Sequence, residues 1–224
     1  MHFNRTHING NPYLGIFAVA NESYLIHPRG AQEKVIREIS SSLEVEALPA
    51  SIGGTEIIGT FAVANSKGLL LPGDATNGEL DMLGGSLDLH VGTVKTRYNA
   101  LGNLVLANDS GAVVGSVYGN EEREEISRAL GVTVEPGTIN GLSIVGSLAR
   151  ASNTGVLVSP RATDEEIKLI KDVLHVDADR GTANFGVGNV GTCILVNSKG
   201  VVAGTPTSGI EMGKIQQVFE EDAW

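Results

Sequence analysis

This chain of 224 residues has one cysteine, five histidines and few aromatics. The lone Cys193 excludes an internal disulfide framework and a cysteine-rich zinc site, and suits a reducing compartment. His2, His7, His27, His90 and His175 never fall at metal-ligand spacing, so neither a metal nor a cofactor is expected. Aromatics make up only 4% of the chain against 42% hydrophobic residues overall, which predicts an aliphatic, alanine-rich core. No apolar run approaches the roughly 18 residues that span a bilayer. The start, Met1-His2-Phe3-Asn4-Arg5, lacks the apolar stretch of a secretory leader. A soluble, cytoplasmic protein is the expectation. Basic charge is scarce too: 16 Lys and Arg against 26 Asp and Glu leave a net −10. Free nucleic acid, which needs a basic footprint, is therefore not an expected partner. A basic protein is compatible with this charge.

What is present is a repeat. A glycine opens a short apolar run that closes on an asparagine at 15–21, 59–65, 102–108, 146–153 and 191–197, with successive glycines 44, 43, 44 and 45 positions apart. A period of this length marks a solenoid, a propeller or another array. Unit four reads most clearly. Its segment 145–151 is a predicted strand, Ser152-Asn153-Thr154-Gly155 a turn, and Val156-Leu157-Val158 the return strand. Ile167, Ile170, Val173 and Leu174 then form one face of a helix, and Val176-Asp177-Ala178 a third strand. Thr76, Thr163 and Ser208 each lie 17 residues after their unit's glycine, with Glu79, Glu166 and Glu211 three residues on. That is the capping-box pattern of a helix start. Unit three instead places Glu121, Glu122, Glu124 and Glu125 in its first helical turns, where the helix dipole favours them.

The third strands of units one to four run into Gly54-Thr55, Gly92-Thr93, Gly137-Thr138 and Gly181-Thr182, but unit five ends after its helix. The segment His2 to Thr6 is placed to supply the missing strand, because Thr6 precedes Gly15 by nine residues as Thr182 precedes Gly191. Such closure removes the open sheet edges of an array. The reading is an α+β chain, a single domain over 1–224 forming a closed five-bladed α/β propeller with five-fold pseudosymmetry. Its units are 15–58, 59–101, 102–145, 146–190 and 191–224, with 1–14 closing the ring. A closed ring also predicts a monomer.

No phosphate-binding loop, dinucleotide fingerprint or nucleophile elbow occurs. Cys193 is the strongest enzymatic candidate, since some five-fold α/β propellers are guanidino-group hydrolases or transferases with a cysteine in the last unit. A working thiol needs a base and acidic substrate-binding groups, and the histidines do not fit that role. A cysteine inside an apolar strand with unit-mates Phe17, Phe61, Leu104 and Leu148 reads as core filler, so no catalytic residue is expected. The residues directly after the glycines, Ile16, Thr60, Asn103, Ser147 and Thr192, are more promising, because pseudosymmetry gathers them in one ring at one end of the propeller.

Three segments resemble the translation initiation factor 6 family in its archaeal form. They run from Phe61-Ala62-Val63-Ala64-Asn65 to Pro72, through Ala100-Leu101-Gly102-Asn103, and from Asn140-Gly141-Leu142-Ser143 to Ser147. The ending Thr207-Ser208-Gly209-Ile210-Glu211-Met212 fits as well, and the motifs keep their order through all five units. The resemblance implies the pentein fold and a non-enzymatic function. That function is binding the large (50S) ribosomal subunit on its inter-subunit face and blocking the small (30S) subunit, with a further role in large-subunit biogenesis. The implied contact is a basic universal ribosomal protein beside the sarcin–ricin loop of the rRNA, without membrane or free nucleic acid. The resemblance implies Thr60, Asn103 and Asn189 as binding residues, and the ring of positions after the glycines adds Ser147 and Thr192 to the expected set. Thr60 stands where eukaryotic members carry a long basic side chain, and the sequence stops at Trp224 without their polar tail.

Overall fold

The computed structural model describes residues 1–220; the end of the last predicted unit, 221–224, lies outside the described residues. The chain opens with β1 (His2–Thr6). Unit one is α1 (Leu14–Phe17), β2 (Val19–Ala20), β3 (Tyr24–Pro28), α2 (Glu33–Leu43) and β4 (Glu46–Ala50). Unit two is α3 (Ile58–Phe61), β5 (Val63–Ala64), β6 (Gly68–Pro72), α4 (Asn77–Ser86) and β7 (His90–Val94). Unit three is α5 (Leu101–Leu104), β8 (Val105–Ala107), β9 (Gly111–Gly115), α6 (Asn120–Leu130) and β10 (Thr133–Gly137). Unit four is α7 (Val145–Leu148), β11 (Ala149–Ala151), β12 (Val156–Val158), α8 (Asp164–Leu174) and β13 (Ala178–Arg180). Unit five is α9 (Val190–Cys193), β14 (Ile194–Val196), β15 (Gly200–Gly204) and α10 (Gly209–Phe219).

The result is a mixed α/β structure with five three-stranded sheets among the described residues. In each, a middle strand pairs antiparallel with the inner strand and parallel with the outer one, as β9 does with β8 and β10. Middle strands such as β6 and β9 are buried along their whole length, which is why they read as unbroken apolar runs. The last sheet takes its outer strand from the other end of the chain: β1 lies parallel to β15, with Thr6 opposite Gly204.

Each hydrophobic core is shared by two neighbouring units. Val63 and Leu70 of unit two pack with Ile126 and Leu130 of unit three. Leu14 and Leu25 of unit one pack with Leu195 and Val202 of unit five. No unit has a complete core of its own, as expected of a stacked repeat.

Two sequence expectations are corrected. The segments around the glycines begin as single helical turns, so the strand of unit four is Ala149–Ala151 and not 145–151. The cause is packing between units. A Cβ on Gly15 would run into the carbonyl of Gly191, one on Gly59 into that of Gly15, and one on Gly102 into that of Gly59. Gly146 and Gly191 meet Gly102 and Gly146 in the same way, every approach being far inside the 3.0 Å that real Cβ atoms keep. Bare glycines let five backbones meet, and a one-turn helix brings each there. The Gly-Thr pairs, moreover, are not in phase. Gly137 ends β10, but Gly92 lies within β7 and Gly54 sits in the turn after β4.

Candidate functional site

Strand direction defines two ends. In every unit the inner strand leaves the glycine and runs to the asparagine, the middle strand returns, and the long helix and outer strand repeat the circuit. The helical turns, the starts of the long helices and the hairpins between units therefore share one end, the glycine end.

At that end α1 packs against α3 and α9, α3 against α5, and α5 against α7, which also meets α9. Ile16, Thr60, Asn103, Ser147 and Thr192 are thereby brought into one ring. Ser147 is buried at 6% exposure, and its hydroxyl donates to Asn103 Oδ1 at 2.9 Å. Thr192 Oγ1 donates to the carbonyl of Asn189 at 2.7 Å. Thr60 and Asn103 are half-buried and Asn189 is exposed. Thr60, Asn103, Asn189 and Thr192 thus reach the surface, while Ser147 props Asn103.

Hairpin tips form the rim of this end, and the capping glutamates fix them. Glu79 accepts from Thr76 N at 2.9 Å, closing the capping box, and also from Gly53 N at 3.0 Å and Gly54 N at 3.1 Å. Glu166 does the same for Asn140 and Gly141, and Glu211 for Phe185 and Gly186. Burial raises the pKa of Glu79 and Glu211, but these hydrogen bonds more than offset it and hold both at about 2. Glu166 is lowered by the same balance. A depressed folded-state pKa gives stability that is present above the unfolded value near 4.5 and lost as pH falls toward 2. Thermal melts are expected to show that loss, about 1–2 kcal/mol for each of Glu79 and Glu211. The double variant Glu79→Gln/Glu211→Gln should flatten the profile; an unchanged acid slope would refute the assignment.

The structure exposes residues at this rim that the sequence reading missed. Phe185 is 83% exposed, Ile210 89% and Leu142 47%. Phe185 sits in the tip between Ala183 and Val187, one residue longer than the 139–142 tip, and has a φ of 63° that costs a bulky side chain strain. The longer spacing of 45 before Gly191 was the available signal.

Cys193 ends α9 rather than lying in a strand, and it is fully buried. Burial pushes its thiol up to about 11; it donates to the Asn189 carbonyl at 3.5 Å, lies 3.7 Å from the Thr192 hydroxyl, and has Asn184, Glu211 and Arg150 in its surroundings. No histidine is among them, Glu211 disfavours the thiolate, and burial outweighs the pull of Arg150, so the thiol stays protonated at neutral pH. No metal-ligating cluster occurs among the described residues.

At the opposite end a second ring forms. Asn65 Nδ2 donates to the carbonyls of Asn108 and Leu130, and its Oδ1 accepts from Lys67 N and Gly68 N. Asn108 repeats this with Ser152 and Leu174, and Asn197 with Asn21 and Leu43. In unit four the position belongs to Ser152, whose Oγ accepts from Thr154 N and Gly155 N, and not to Asn153. Asn153 instead reaches across this end and donates to Glu22 of unit one and Asp109 of unit three. Its run is one residue longer than the other four for that reason.

Comparison with known proteins accords with this architecture. The model of the eIF-6 family matches residues 3–218. Translation initiation factor 6 of Pyrococcus horikoshii is 40% identical over 98% of this chain and 99% of its own length. That of Methanocaldococcus jannaschii is 38% identical over 93% of each. Among solved structures, apo ArgZ, an arginine dihydrolase from the ornithine–ammonia cycle in cyanobacteria, has a TM-score of 0.50 at 9% identity. The match covers 84% of this chain and 30% of that one, and it is a likeness of fold alone. With nearly full-length matches to archaeal initiation factors, the chain belongs to the eIF-6 family, a family of translation factors and not of enzymes.

Proposed function

We propose that this protein binds the inter-subunit face of the large (50S) ribosomal subunit through its glycine end and prevents the small (30S) subunit from joining. The observation that carries this reading is the ring at that end, in a chain matched by a translation-factor family along nearly its whole length. A rigid body seated on the bridging surface excludes the other subunit sterically and needs no chemistry. The rigid body is a closed five-bladed pentein, one domain with the unit boundaries given above and 1–14 completing the ring. The cyclic contacts of the helical turns and the pairing of β1 with β15 support it.

Thr60, Asn103, Asn189 and Thr192 are the contact residues, and Ser147 acts by holding Asn103. The partner surface is a basic universal ribosomal protein beside the sarcin–ricin loop, which a net charge of −10 suits, because complementary charge speeds encounter and fixes orientation. The factor works as a cytoplasmic monomer and also takes part in large-subunit biogenesis.

Sedimentation tests the proposal. The protein should pellet with purified 50S subunits at modest salt and inhibit their joining with 30S; failure of both would refute it. Asn103→Arg is expected to weaken binding at least tenfold, on the scale of about 1.4 kcal/mol or more for a central interface residue. Cys193→Ala should leave binding unchanged.

A further inference from the structure

Each of the five outer strands, β1, β4, β7, β10 and β13, pairs with its middle strand along one edge and has no strand on the other. The register decides which amides face that free edge. Glu46 N donates inward to Ser23 O, His90 N to Lys67 O and Gly181 N to Val158 O, so every second residue counted from them points outward. An outward N–H on an edge strand is a template for another strand, and proteins commonly remove or occupy it. The outward residue nearest the glycine end is Arg5, Pro49, Thr93, Pro136 or Arg180. Pro49 and Pro136 have no N–H to offer. Arg5 N donates to Asn4 Oδ1 at 2.8 Å and Arg180 N to Asp179 Oδ1 at 2.7 Å, so both are turned back onto their own strand. Thr93 is the exception. It is exposed, and no side-chain acceptor reaches its N–H among the described residues. Its strand, His90-Val91-Gly92-Thr93-Val94, carries neither proline nor a lysine, arginine or carboxylate.

Four edges are closed and one is open. We propose that β7 is a self-association edge, where two copies of this chain join antiparallel into one continuous sheet. A two-fold axis at Gly92 sets Val91 of each copy against Thr93 of the other. These are the outward residues, so their N–H and C=O groups bond in both directions, and no side chain stands on the axis. The charges beside the strand match a second copy. Asp88, just before β7, and Lys95 and Arg97, just after it, are exposed and form no ion pair among the described residues. Antiparallel pairing brings the start of one β7 beside the end of the other, so Asp88 of each copy meets Lys95 and Arg97 of its mate. The helix that leads into β7 ends in Gly84-Gly85-Ser86, and a Cβ on either glycine would meet nothing within 4 Å. A contact between two strand edges is far smaller than the roughly 1,200 Å² of a standard interface, so the pair is weak. It belongs to the free protein, and a copy seated on a ribosomal subunit acts singly.

Sedimentation equilibrium of the full chain at low salt tests this. From about 10 µM to about 1 mM, the weight-average mass should climb from 23.4 kDa towards twice that value. Thr93→Pro, which gives β7 the device already present at Pro49 and Pro136, should hold the mass at one chain throughout. If that variant does not fold, charge reversal outside the strand still decides. Lys95→Asp/Arg97→Asp should weaken association about tenfold, and adding Asp88→Lys should restore it. A wild type that keeps the mass of one chain at about 1 mM would overturn the proposal. So would a folded Thr93→Pro protein that associates as the wild type does, or charge reversals that leave association unchanged.

Discussion

Gly102→Ala is expected to destabilise the protein by about 3 kcal/mol or more. The added methyl would meet the carbonyls of Gly59 and Ala62, which are backbone and cannot swing aside as a long side chain would. Relief requires unit three to move away from unit two. The same contact recurs at Gly15, Gly59, Gly146 and Gly191, so each unit is hemmed in by the next. Urea unfolding of Gly102→Ala beside Gly78→Ala measures this. Gly78 lies in α4, where a Cβ would meet nothing within 4 Å, and its replacement should stabilise by about 0.5–1 kcal/mol. A Gly102→Ala midpoint equal to wild type would show that the glycine approach is slack.

Asn108→Ala should cost about 4 kcal/mol. Its amide donates to Ser152 O at 3.1 Å and Leu174 O at 2.9 Å, and its Oδ1 accepts from Ser110 N at 2.9 Å and Gly111 N at 3.1 Å. Truncation strands four backbone groups around a side chain that is 5% exposed, each worth about 1–3 kcal/mol if left unpaired and less after relaxation. Asn108→Ser offers a graded comparison, because Ser152 shows that a hydroxyl keeps the two acceptor bonds and gives up the amide's donations. It should lose roughly half as much. Equal losses for the two variants would assign the effect to packing instead of to hydrogen bonding.

These two rings were unequally legible in the sequence. Glycine spacing exposed the five units, and the capping boxes at Thr76, Thr163 and Ser208 stand where their phase put them. The phase of Thr6 likewise led to the strand that β1 contributes to the last sheet. The helical turns were misread as strands because a four-residue apolar segment has no period long enough to separate the two. Ser152 was overlooked because a hydroxyl and an amide share only the acceptor half of the role. For the candidate site, spacing located the position after each glycine, but it could not foresee that Ser147 turns inward to Asn103. Nor does any periodicity reveal an aromatic at a hairpin tip such as Phe185.

The pairing of β1 with β15 also governs the order in which a newly made chain can be finished. The sheet partner of β1 (His2–Thr6) is β15 (Gly200–Gly204), so this strand stays unpaired until that distant segment has been made. Until then Ile8 and Leu14 lack Leu195 and Val202, the residues that complete their core. Partial units therefore wait with exposed apolar faces, and the final step joins contacts of very large sequence separation, the slow kind. Folding therefore cannot finish until β15 is available to β1, whatever order the units between them take.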